Sequence, residues 1–171
     1  GIYQKGDQLK ALLKGNSPLS PTVVYRRKFL EKVRWNENAK LEDYELYLQL
    51  YPHGEFLFDP QILSAWRKHA KNTSRDLEFM LAEILDAQSR ILPEIGLSEK
   101  EISKAHDIVL FDYIEQFARE GNKQKALKLL AKNINKSPDA KILFKNVARL
   151  LIPNSIIKKR RKQKVEKLTN V

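Results

Sequence analysis

From Leu77 onward the apolar residues return every three to four positions, a period that demands helix. Leu77, Met80, Leu81, Ile84, Leu85 and Gln88 form one stripe that ends near Pro93. Thr73 with Asp76 three residues later has the pattern of a capping box, and Ser98 with Glu101 repeats it. Behind the second box, Ile102, Ala105, Val109, Tyr113 and Phe117 carry a helix to Gly121. Ala126, Leu127, Leu130 and Ile134 mark a third helix. Ser137-Pro138 suits the start of a fourth, which Ile142, Leu143, Val147 and Leu150 extend to Pro153. The basic run beyond Pro153 is expected to form a last helix.

The first 74 residues are more mixed. Leu9, Leu12 and Leu13 share a helical face, with Asp7 placed to cap it and Gly15 to end it. Two prolines make 16–21 a loop. Thr22 to Tyr25 is short and β-branched and reads as a strand. Arg27 to Val33 reads as a short helix, and Trp35 to Lys40 as a polar connection. Leu41, Tyr44, Tyr47, Leu48 and Tyr51 define an amphipathic helix that Pro52-His53-Gly54 stops. Phe56 to Phe58 and Gln61 to Trp66, joined by an Asp59-Pro60 turn, read as two strands close enough to pair. The expected fold is therefore mainly α with a small β component. Residues 1–74 form a mixed portion, 75–153 a helical extension and 154–171 a basic tail.

At 171 residues the chain can bury one ordinary core, and 42% apolar with 31% charged residues suits a folded domain. The absence of Cys excludes disulfides and thiolate metal sites, and suits a reducing compartment. No apolar run approaches the ~20 residues that span a bilayer, and no secretory signal opens the chain. Gly1 in place of Met points to a processed or excised sequence. The six glycines are isolated, so there is no phosphate-binding loop; His-Glu-x-x-His and supported Ser/His/Asp arrangements are also missing.

The residues that can carry chemistry gather between Pro21 and Ser74. Glu42 and Asp43 stand in a first helical turn, where acids also favourably meet the helix dipole. Arg67 and His69, two apart at a strand end, would point to one side. For Arg67 the alternative is to lie over Trp66 with its head in water, and for His69 a plain surface position. His53 fits turn chemistry, and His106 a surface or interhelical place. Tyr44, Tyr47 and Tyr51 suit the core.

Three pieces stand in a suggestive order: Thr22-Val23-Val24-Tyr25-Arg26-Arg27, then Glu42-Asp43-Tyr44-Glu45-Leu46, then Trp66-Arg67-Lys68-His69 with Asn72 and Ser74 behind. Together they resemble the acceptor-side half of a family 2 glycosyltransferase with the GT-A fold. The resemblance reaches weakly back to Tyr3 and fades beyond Gln88. It implies an incomplete GT-A acceptor half followed by a helical bundle or hairpin extension. It implies an inverting transfer from a nucleotide-sugar donor to a glycan or lipid-linked acceptor, in bacterial cell-surface polysaccharide synthesis. Asp43 would be the catalytic base, with Glu42 orienting acceptor or base. Arg67, Tyr47 and Trp66 would contact substrate, and His69 would touch a divalent Mg2+ or Mn2+ or the diphosphate. The family's Asp-x-Asp motif is missing here, as is the strand–helix alternation of a nucleotide-binding sheet. The chain is accordingly expected to be the C-terminal piece of a longer enzyme, inactive alone, with exposed strand edges that favour self-association.

The net charge of +11 is concentrated at the end, in Lys158, Lys159, Arg160, Arg161, Lys162, Lys164 and Lys167. With Ile156, Ile157, Val165 and Leu168 among them, these cations suit a helix lying on an anionic leaflet. A solvated terminus and a nucleic-acid grip are the alternatives, the last without a reading element or aromatic platform. The expected place is the cytoplasm, peripheral at the inner face of the membrane. In a different class of reading, 121–140 resembles the link of a tetratricopeptide repeat. The chain would then be a helical interaction module with a basic membrane- or partner-binding tail, although one unit falls short of a solenoid.

Overall fold

The computed structural model describes residues 8–57, 59, 61, 64, 67, 69 and 72–157. Among the described residues the named α-helices run in order: α1 (Gln8–Leu13), α2 (Arg27–Leu30), α3 (Glu42–Leu50), α4 (Leu77–Glu94), α5 (Glu99–Arg119), α6 (Lys123–Asn133) and α7 (Ala140–Leu151). The chain divides into two compact units, Gly1–Val109 and Leu110–Val171. Among the described residues no helix is long and apolar enough to cross a membrane.

The expected α+β class, with its GT-A acceptor half, is corrected: among the described residues there is no strand and no sheet. Pro21 opens a 3-10 turn at Ser20–Thr22. The chain then runs extended, with Val23 and Tyr25 half-buried and Val24 exposed. The alternation of a strand is present, but among the described residues no second strand lies beside it, and an unpaired segment makes no ladder. Phe56 and Leu57 likewise form no strand. Phe58 and most of the 61–66 run lie outside the described residues, as does the basic tail from 158.

In the first unit α3 is the axis. Tyr44, Tyr47 and Leu48 are buried as their spacing requires, but so are Glu45, Leu46 and Leu50 on the other sides. The apolar stripe of an amphipathic helix was expected; neighbours instead cover nearly its whole circumference. α1 and α4 pack against it. The 34–40 connection closes another side: Arg34 N donates to Gln49 Oε1 at 3.1 Å, and Gln49 Nε2 returns a bond to Arg34 O at 3.2 Å. The Tyr25 ring stacks on Tyr47 at 6.4 Å and Phe56 meets its edge at 6.5 Å.

Polar bonds inside this apolar unit fix its register. Tyr44 Oη donates to Leu12 O at 2.7 Å, at the C-terminal end of α1. Gln88 Nε2, from α4, donates to Leu13 O at 3.0 Å and to Tyr44 Oη at 2.9 Å. Orphan carbonyls at a helix end are thus met by side chains of two other helices. Gly15, at φ 72°, turns the chain out of α1, and a Cβ there would stand 3.1 Å from Ile84 Cδ1.

Helix starts depart from expectation in two places. Asp76, rather than Thr73, caps α4, accepting from Phe79 N at 3.0 Å. α7 starts at Ala140 behind Asp139, which accepts from Ile142 N at 2.7 Å, so Pro138 lies before the helix. The Ser98–Glu101 box does form: Glu101 Oε2 accepts from Ser98 N at 2.9 Å.

The second unit has a smaller core of Phe111, Ile114, Phe117, Ala118, Ala126 and Leu130. α6 and α7 pack as an antiparallel pair: Lys123 Nζ, at the start of α6, donates to Leu150 O at 2.8 Å, at the end of α7. Gly121, at φ 92°, and Asn122, whose side chain accepts from Lys125 N, make the turn into α6.

Candidate active site

Asp43 stands in the first turn of α3, half-buried, where no side chain caps the helix. Its carboxylate is held in two ways. Oδ1 accepts from Tyr44 N at 2.7 Å, and Oδ2 accepts from the Ser20 hydroxyl at 2.7 Å. The proline-bounded loop before Thr22 thus presents an alcohol to this acid. Glu42, beside it, is also half-buried.

Tyr47 lies one turn further along α3 and is fully enclosed. Its hydroxyl makes no hydrogen bond of normal geometry, and its polar neighbours are Tyr25, Ser20 and Asp43. Burial, then the Tyr25 hydroxyl and the charge of Asp43, raise its pKa far above the usual phenol range, against a smaller opposing effect of Ser20. Tyr47 is therefore a neutral ring in the core beneath Asp43, with both ring contacts taken by protein.

Arg67 and His69 are exposed. Asn72 organises their backbone: its Oδ1 accepts from His69 N at 2.5 Å, and its Nδ2 donates to Arg67 O at 3.5 Å. The strand end expected here is a turn built on Asn72. No hydrogen bond or ion pair among the described residues joins Asp43 to Arg67 or His69. Trp66 lies outside the described residues. No group of three or more His, Asp or Glu among the described residues is arranged to hold a metal.

A second polar cluster was not foreseen. Glu45, on α3, has a side chain only 2% exposed. It accepts from Asn36 Nδ2 at 2.9 Å and from Arg90 Nε at 3.0 Å, with a second bond from Arg90 Nη2. Arg90 also pairs with Asp86 one turn back on α4. Asn36, Asn38, Lys40, Glu83, Asp86 and Arg90 line an open cleft of about 300 Å³ above this pair. The signal was available: Glu45 is the one charged residue within Tyr44–Leu48. A buried carboxylate requires a cation, and the sequence does not say which distant arginine supplies it.

His106 sits on α5 with Nε2 3.5 Å from Ser89 Oγ of α4, the interhelical place expected for it. His53 closes the 3-10 turn Tyr51–His53 that follows α3. No protein-family model, curated protein or solved structure matches the chain.

Proposed function

We propose that the chain forms the acceptor side of a glycosyltransferase that passes a sugar, with inversion, from a nucleotide-sugar donor to a glycan or lipid-linked acceptor. The observation that supports this best is the alcohol on Asp43 Oδ2, 2.7 Å from the Ser20 oxygen. A general base must accept a hydrogen bond from the hydroxyl it will deprotonate. Asp43 already does so toward an alcohol, while Tyr44 N holds its other oxygen. An acceptor hydroxyl would take the place of Ser20.

In that reading the acceptor oxygen attacks the anomeric carbon as its proton passes to Asp43. The new C–O bond forms while the bond to the nucleoside diphosphate breaks, and the diphosphate leaves with the electron pair. Glu42 orients the acceptor or the base, and the exposed Arg67 guanidinium neutralises phosphate charge. Donor binding belongs to a nucleotide-binding half that these 171 residues do not supply. A divalent cation, where the donor needs one, would be held mainly there. The order of the three sequence pieces lends further support, and the setting in bacterial surface polysaccharide synthesis follows from that resemblance alone.

The test is sugar transfer from labelled nucleotide sugars by the protein that joins this chain to its donor half. Asp43→Asn is expected to lower turnover by about 10²–10⁴-fold, leaving the melting transition and donor affinity in place. Undiminished turnover would remove Asp43 from the mechanism.

A further inference from the structure

α7 is apolar over more of its circumference than its own unit covers. Leu143 and Leu150 are half-buried, whereas Phe144, Val147 and Leu151 are 75%, 41% and 78% exposed. Positions 144, 147 and 151 fall on one stripe along the helix. Ala140, one turn before Phe144, is exposed on the same side. In the same unit Leu127 and Ile134 are also open to solvent. Single exposed apolar residues need no explanation, but a continuous stripe over three turns does.

Charge indicates what covers it. Residues 110–157 hold nine Lys and Arg against four Asp and Glu, and 158–171 add seven against one. Lys141, three residues before Phe144, is exposed at the edge of the stripe. A second copy would bring the same cationic surplus face to face with itself. Nucleic acid would answer the charge but offers little to Val147 and Leu151. An anionic bilayer surface answers both the charge and the stripe.

We propose that α7 is an interfacial membrane helix. Phe144, Val147 and Leu151 enter the headgroup boundary of an anionic leaflet, and the exposed Lys141 at the edge of the stripe meets its phosphates. This goes beyond sugar transfer and does not depend on it. The experiment is co-sedimentation of the 171-residue chain with vesicles of phosphatidylcholine, alone or with about one quarter phosphatidylglycerol. The chain is expected to bind the mixed vesicles and not the neutral ones. The double variant Phe144→Ser, Leu151→Ser, with unchanged circular dichroism, should partition roughly ten-fold more weakly. The proposal is overturned by no binding to anionic vesicles, by equal binding of the double variant, or by a concentration-dependent dimer that the double variant loses. Tighter capture by a single-stranded oligonucleotide, kept in the double variant, would overturn it too.

Discussion

The two units meet the same problem, a buried carboxylate, in different ways. In the first, Glu45 meets one cation among the described residues, Arg90, helped by the Asn36 amide. In the second, Glu115, with a side chain 8% exposed, faces three: Lys145 at 2.6 Å, Arg149 at 3.2 Å and Arg119 at 3.7 Å. Overall charge follows the same division. Residues 1–109 hold 16 Lys and Arg and 16 Asp and Glu; residues 110–171 hold 16 and 5. A neutral unit has no cations to spare and must place one accurately. A cationic unit surrounds its acid with several and tolerates the loss of any one.

The largest effect should come from removing the single partner. Among the described residues Arg90→Ala leaves buried Glu45 with Asn36 alone to answer its charge, and it is expected to cost about 3 kcal/mol in denaturant unfolding. A double change to apolar residues, Glu45→Met with Arg90→Met, should recover much of that loss, because no charge remains to be solvated. A cost for Arg90→Ala under about 1 kcal/mol would show that water reaches Glu45.

Next in size is the acid of the second unit. Glu115→Gln removes the centre of its cluster but leaves cations that reach water, Lys145 and Arg119 being more than half exposed. A cost of about 1–2 kcal/mol is expected. Lys145→Ala alone should cost under about 1 kcal/mol, since Arg149 and Arg119 remain. Equal costs for Lys145→Ala and Arg90→Ala would break the contrast between one partner and three.

Acid should soften the units in sequence. Burial holds the His106 imidazole below its ordinary value of 6.5, against the smaller pull of Asp107. The unfolded chain takes up that proton first, so the first unit loses stability as pH falls below about 6.5. Burial alone would raise Glu115, but the Lys145 hydrogen bond and the charges of Lys145, Arg119 and Arg149 bring it below its ordinary 4.5. Its contribution is complete above about pH 4.5 and is lost only as pH falls through the lower folded value. Amide protection, taken relative to the intrinsic exchange rate at each pH, should therefore fall around α4 and the start of α5 before it falls around α6 and α7. His106→Gln should remove the first step and spare the second.

How legible each part was follows from the range of the interactions that decide it. The helices from Leu77 to Leu151 were legible because their apolar period, the Ser98–Glu101 box and Gly121 act over three or four residues. The strand reading of 22–25 and 56–58 rested on equally local signals, but a strand exists only beside a partner that propensity cannot supply. Val23 to Arg26 has the extended backbone and its alternation, and no ladder among the described residues. Asp43 and Glu42 could be picked out because a paired acid at a helix start is a local pattern. The Ser20 alcohol on Asp43 spans 23 residues, and the Arg90 grip on Glu45 spans 45. Neither leaves a mark in the residues between.

The smallest effect on stability is expected on the stripe of α7, which makes it the sharpest comparison of core with surface. Leu130, on α6, is 4% exposed, and Leu130→Ala should cost about 2–4 kcal/mol as methyl groups are lost from a closed core. Phe144→Ser removes a larger side chain one helix away, yet the ring is 75% exposed and fills no cavity. Its cost should stay within about 0.5 kcal/mol, or favour the fold slightly. A loss of 2 kcal/mol or more in chemical denaturation would mean that Phe144 is covered in solution by part of the chain itself. The stripe would then be core, and α7 would have no apolar face to give to a membrane.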